Sequence, residues 1–255
     1  APFRQFVQAR FARAIKAEGA KRLYVSRSEL GAVRGGILQE TRLEACLAAG
    51  GYEIFHPQKH PMPVQIARYK AADQIVALDG SALHLVAMVA NDRQEVAIIK
   101  RRESGATDSI VRHLQTFSGR APVVINAILQ DWVRSDRSRA DRFSFGELDF
   151  EVLGQALAAG GFVPPETAWT SLTADESAAA MREIEGRLRR QKLTFRPIPR
   201  GGAVNSSVAP KLVKSNPRRE ARFAARRAAK SANLLKLDQP PIIRPTTVSP
   251  ETAKK

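Results

Sequence analysis

The sequence predicts an α/β fold: a Rossmann-like parallel sheet with helices on both faces. Three observations carry this. Short β-type runs alternate with helical patterns from about residue 20 to 162, the rhythm of strands joined by crossover helices. The run "QIVAL" (74–78) is apolar almost without interruption, as suits a strand covered on both sides. It leads straight into the turn Asp79-Gly80-Ser81, the kind of small-residue bend that joins a strand to the next helix.

In chain order, "RLYVSRS" (22–28) predicts a strand that ends in polar residues. "ILQETRLEACLAAGG" (37–51) predicts a helix, with Ile37, Leu38, Leu43, Cys46 and Leu47 on one side and Gly50-Gly51 as its stop. "YEIFH" predicts a second strand, and "PVQIARYKAAD" (63–73) a second helix opened by Pro63. After the strand at 74–78, a helix is expected from about Gly80 to Ala90. "EVAIIK" (95–100) and "PVVINAIL" (122–129) predict two more strands, with the helix "DSIVRHLQTF" (108–117) between them. The quartet Ser144-Phe145-Gly146-Glu147 has the spacing of a capping box, which predicts a helix from 144 to the Gly160-Gly161 stop. A last, surface helix is expected over 173–192, acidic at its start and basic at its end.

The net charge of +16 is unevenly placed. From residue 196 onward there are 14 Lys and Arg against 3 Asp and Glu, so +11 lies in a Pro-rich tail with few large apolar residues. Such a segment cannot offset its ordering entropy, and 196–255 is expected to be a disordered basic tail. The preceding 20–195 form the expected domain, and 1–19 an N-terminal helical segment left from an upstream domain, since the chain begins without Met. The one cysteine, Cys46, excludes an internal disulfide framework and any multi-cysteine metal site. No apolar run reaches the length of a bilayer span, because Asp79 and His84 interrupt the best candidate. A cytoplasmic location is expected, with a peripheral position at the inner face of the membrane as its variant.

Two readings of "DGSALH" (79–84) stand side by side. In one, the amides of Gly80, Ser81 and Ala82 form an anion cradle at the positive end of a helix, beyond the carboxyl end of a strand. In the other, Asp79 is an N-cap with His84 as its partner one turn on. No G-x-S-x-G or G-x-x-x-x-G-K-[ST] occurs, which speaks against a serine-hydrolase elbow and a Walker-type nucleotide site. His56 and His60 are separated by Pro57 and followed by Pro61, so a helical metal site is not expected, and Asp149-Phe150-Glu151 reads as a solvated acidic edge. No metal and no cofactor are expected.

The stretches "LYVSRS", "GGILQETRLEACLAAGGYEIFHP", "VQIARYKAADQIVALDGSAL" and "EVAIIK" together resemble the carboxyl-terminal catalytic region of glycosyltransferase family 61, of the capsular polysaccharide type. The resemblance runs over roughly residues 20–102. It implies the donor-binding half of a GT-B architecture and inverting transfer from a nucleotide sugar, UDP in kind, to a glycan acceptor without an essential metal. By the same resemblance Arg27 matches the arginine after the first strand, Glu40 the acid of an Asn-Glu pair, Gln65 the glutamine of the next helix, and Gly80, Ser81 and Ala82 the small-residue turn. Arg27 and Arg34 are then expected to hold the diphosphate, with His84 or Asp79 as catalytic base unless the base lies on another domain. The sequence departs from the family at Asp79 (often His), Leu85 and Gln39 (often Asn), and Ile98 (near an acid). These departures keep open a non-catalytic α/β binding domain. A third class, weak contact with nucleic acid or an anionic membrane, rests on the basic tail alone.

Overall fold

Residues 6, 7 and 10–199 are described by a computed structural model of the chain. The chain divides into two units, Ala1–Pro210 and Lys211–Lys255, and the described residues all lie in the first. The expected tail from residue 200 onward is therefore outside the described residues.

Five short strands form the central sheet: β1 (Arg22–Val25), β3 (Glu53–Phe55), β4 (Gln74–Leu78), β5 (Glu95–Ile99) and β6 (Val123–Ile125), with β2 (Gly36–Ile37) outside it. They are all parallel, in the order β3-β1-β4-β5-β6. Chain direction across the sheet reverses between β1 and β4, the topological switch point of a doubly wound sheet.

Alternation along the strands explains the two layers of helices. Tyr24, Val76, Leu78 and Ile99 join one core with Leu43 and Leu47 of α1 (Glu40–Ala49) and Leu153 and Leu157 of α5 (Phe150–Ala159). Val25, Ile75, Ala77 and Ile98 face the other way. They meet Tyr69 of α2 (Met62–Ala71), Leu83 of α3 (Ala82–Val89) and Ile110 of α4 (Ala106–Ser118). A mixed α/β fold with a parallel sheet between helices is thus what the apolar rhythm builds.

The structure corrects the reading after residue 125. The expected strand at 122–129 breaks at Asn126-Ala127, where the chain leaves the parallel sheet and continues as β7 (Ile128–Arg134). A second, four-stranded sheet follows, which the sequence did not predict: with β8 (Phe145–Leu148) and β9 (Phe195–Pro199), its order is β2-β8-β7-β9. Its β8 occupies the expected start of a helix at 144–147. Ser144 there makes no helix cap, because its hydroxyl accepts from the Asp141 amide at 2.9 Å. Glu147 is buried and accepts from Trp132, Gln130 and Ser177. The cap belongs instead to Asp149, which accepts from the Val152 amide at 3.0 Å and opens α5. Asp149 is thus no part of a solvated edge, and Phe150 beside it is fully buried.

Helix α6 (Ala174–Arg187) does carry a capping box, at Thr173 and Glu176. It is less a surface helix than expected, since Ala180 and Met181 pack on Leu38 and Phe145. The last strand, β9 (Phe195–Pro199), pairs with β7 from Phe195 to Pro199, so the expected tail boundary at 196 falls inside a strand. Two further starts shift. The helix expected from 37 begins at Glu40, after β2 takes Gly36 and Ile37, and the one expected from Gly80 begins at Ala82.

Candidate functional site

The site builds up at the carboxyl edge of the parallel sheet, where β1, β4 and β5 end side by side. Strand β1 leads into Ser26 and Arg27, β4 into Asp79 and Gly80, and β5 into Lys100, Arg101 and Arg102.

Arg27 lies across Gly80. A Cβ on Gly80 would stand 2.8 Å from Arg27 Nη1, so any side chain there would push the guanidinium away. Arg27 Nε is sealed from solvent with no hydrogen-bond partner, while Nη2 reaches the Arg34 carbonyl at 3.4 Å. Burial pulls the Arg27 pKa down, and the charges of Glu40 and Asp79 partly restore it. Arg34 itself sits in an exposed 3-10 turn, and its backbone, not its side chain, meets Arg27.

Beyond Gly80 the first turn of α3 closes through Leu83 N to Gly80 O (3.2 Å) and His84 N to Ser81 O (3.0 Å). The amides of Gly80, Ser81 and Ala82 precede these bonds, at the positive end of the helix. Ser81 is exposed, so the turn is open to solvent.

Asp79 does not cap this helix. Its carboxylate is 1% exposed and is enclosed by the Thr107 hydroxyl (3.0 Å), the Arg101 Nε (3.2 Å) and the Arg101 amide (3.4 Å). It ties β4 to the segment after β5. The expected Asp79–His84 partnership is replaced by another: His84 Nδ1 lies 2.9 Å from His113 Nδ1 on α4, and burial followed by the His84 charge lowers the His113 pKa.

Glu40 stands at the start of α1 and holds the end of β1. Its Oε1 accepts from the Arg27 amide (2.7 Å) and the Tyr24 hydroxyl (2.9 Å), and burial raises its pKa against the pull of those bonds. The preceding Gln39 adopts a left-handed conformation (φ 53°), which turns the chain from β2 into α1. Gln65 donates through Nε2 to the carbonyls of Pro57 (2.8 Å) and His60 (2.9 Å), which fixes the loop between β3 and α2. Arg27, Gly80 and Glu40 are therefore brought together; His84 and Gln65 are directed to other partners.

Sequence reasoning missed Arg101 and Arg102, which are 5% and 8% exposed. Burial, then the charges of Arg102 and Arg27, push the Arg101 pKa down to about 10. The residue types gave one signal: two adjacent arginines just past an apolar strand, at the edge where open parallel sheets generally bind ligands.

A cleft of about 110 Å³ opens beside Arg27 and Glu40, walled by Gly31, Gly35, Gln39 and Arg187. That is room for a phosphate-sized group and not for a whole nucleotide. A larger cavity, about 300 Å³, lies among Phe11, Lys70 and Met88, near the carboxyl ends of α2 and α3 and so away from Arg27. Among the described residues no group of three or more His, Cys, Asp or Glu is placed to hold a metal ion, and no helix is long and apolar enough to cross a membrane.

The fold and this edge define a doubly wound α/β domain whose switch point gathers guanidinium groups and helix-start amides, the chemistry of an anion site. The family profile described as Glycosyltransferase 61 matches residues 1–96, from the N-terminus through the start of β5. Over that stretch the chain is similar to the family, which supports glycosyl transfer as its general activity. No curated protein matches the chain.

Proposed function

We propose that the chain is the donor-binding part of an inverting glycosyltransferase, which moves a sugar from a nucleoside diphosphate, UDP in kind, to a glycan acceptor. A surface or capsular polysaccharide is the acceptor class the resemblance suggests, and the cytoplasm the matching location. The observation that carries the reading is Arg27 laid over Gly80 at the switch point between β1 and β4. In the transfer, an acceptor hydroxyl attacks the anomeric carbon, the bond from that carbon to the phosphate oxygen breaks, and the hydroxyl proton passes to a base. Arg27 and the amides of Gly80, Ser81 and Ala82 stabilise the negative charge gathering on the departing diphosphate. Asp79 keeps Arg101 and Thr107 in place, and Glu40 fixes the Arg27 backbone. Of the two groups expected as base, His84 is at the surface and Asp79 is enclosed.

Titration calorimetry of UDP against Arg27→Ala tests the reading. Loss of one charge-assisted contact lowers affinity by roughly tenfold or more. Unchanged affinity would remove Arg27 from the site.

A second reading is favoured by one observation: the carboxylates of Asp79 and Glu40 are both held by neighbouring donors. In that reading the domain binds a nucleotide sugar without transferring it. Donor hydrolysis or transfer by the chain excludes it; UDP binding with no turnover in the presence of glycan acceptors supports it.

A further inference from the structure

Arg102 is enclosed by the fold without being answered. It is 8% exposed, and both its Nε and its Nη1 are sealed from solvent with no hydrogen-bond partner. A buried guanidinium ordinarily has its N–H donors matched, because the water it gave up must be replaced. Its surroundings sharpen the demand for an anion. Arg27 and Arg101 both feel its positive charge. The nearby acids make their hydrogen bonds elsewhere: Asp79 pairs with Arg101, and Asp131, whose pKa burial raises and the charge of Arg102 partly lowers, accepts the Glu103 amide at 3.0 and 3.3 Å.

The second sheet puts Arg102 in this position. A Cβ on Gly146 of β8 would run into the Arg101 carbonyl, so only glycine lets β8 approach that backbone. Asp131 of β7 holds the chain two residues on, through Glu103. The backbone on both sides of Arg102 is thus pinned from the antiparallel sheet, while its side chain belongs to the carboxyl edge of the parallel one. Arg102 lies one strand from the Gly80 turn, and Glu103 and Gly105, which follow it, are exposed. Arg101, Arg102, Asp131 and Gly146 lie beyond residue 96, outside the stretch that matches the family.

We infer that Arg102 is an anion-binding residue of the donor site, which with Arg27 forms a two-arginine clamp on the paired phosphates of a nucleoside diphosphate. The inference rests on the reading of Arg27 and Gly80 as a diphosphate site, and it extends that site to the end of β5. The missing acceptor of Arg102 is then a phosphate oxygen, and the repulsion among the three arginines is relieved on binding.

Calorimetry with inorganic pyrophosphate, UDP and uridine tests this on the full chain, as wild type, Arg102→Gln and Arg27→Ala. The clamp requires that Arg102→Gln weaken pyrophosphate and UDP by about tenfold or more, and that the unliganded Arg102→Met variant melt no lower than wild type, since it loses an unpaired buried charge. Wild-type affinity in Arg102→Gln with loss in Arg27→Ala overturns the clamp and leaves the donor site standing. A lower melting point for unliganded Arg102→Met also overturns it, because Arg102 would then be a structural group. Pyrophosphate binding that depends on Arg102, without any binding of UDP, overturns the nucleoside-diphosphate clamp together with the nucleotide donor. A wild-type chain that binds neither overturns both.

Discussion

Glu40 shows how one side chain can set the geometry of a site. Its Oε1 gathers the Tyr24 hydroxyl and the Arg27 amide, so the end of β1, and with it the direction of Arg27, depends on an acceptor at that point. The charge on that acceptor is a liability, since burial raises the Glu40 pKa above its ordinary 4.5. Well below pH 4.5 the carboxyl is neutral in both the folded and the unfolded chain. As pH rises the unfolded chain ionises first, and stability is lost until the folded carboxyl ionises in turn. Glu40→Gln keeps the acceptor oxygen and removes the titration. Urea denaturation from pH 4 to 8 should therefore show a decline in the wild type that is flatter in Glu40→Gln, with UDP affinity changed little. Parallel stability profiles would show that Glu40 titrates in the fold as it does in solution.

At the scale of the element, the legible parts are those whose signal is local. Strand β4 was readable from its apolar run, and the Gly80 turn from the residues that follow it, because a parallel strand and a helix start each write themselves into consecutive positions. Arg27 was legible through the family resemblance, since a cation just past a strand is by position alone equally a surface charge. Strand β8 was not: "SFGE" has capping-box spacing, and what makes it a strand is distant pairing, to β7 at Trp132 and to β2 at Gly36. Arg101 and Arg102 were missed alike, because their burial depends on Gly146, some 45 residues later in the chain. Helix α5 offers a test of such long-range control. Alanine at Gly154, a helix-interior position, ought to gain about 0.8–1 kcal/mol from propensity alone. Its Cβ, however, would overlap the buried ring of Trp169, and overpacking costs about 1–3 kcal/mol. Gly154→Ala should therefore lower the denaturation midpoint, and a rise would mean that Trp169 moves aside freely.

For the molecule as a whole, the two sheets are coupled through the segment that carries Arg101 and Arg102. Strand β9 lies at the edge of the second sheet, where Pro197 and Pro199 are tolerated because an edge strand has a side with no ladder to complete. Phe195 closes the small core beside Phe145, with ring centroids 5.5 Å apart, and its amide donates to Glu185 at 2.7 Å. A chain ended at Thr194 loses these contacts; one ended at Pro199 keeps them. Burial of a half-exposed aromatic ring and its hydrogen bond is worth about 2 kcal/mol, so the shorter chain should melt roughly 5 °C below the longer. If β7 and β8 transmit the position of Gly146 to Arg101, the shorter chain also binds pyrophosphate more weakly. The same pair of chains separates the site from the basic tail, since both lack residues 200–255, where 13 Lys and Arg meet 3 Asp and Glu. Salt-sensitive binding to RNA or anionic vesicles that belongs to the tail is lost in both chains, while pyrophosphate binding persists in the one ended at Pro199. Equal melting points for the two chains would show that β9 is not a structural strand and would cut the argued route from the second sheet to the arginines.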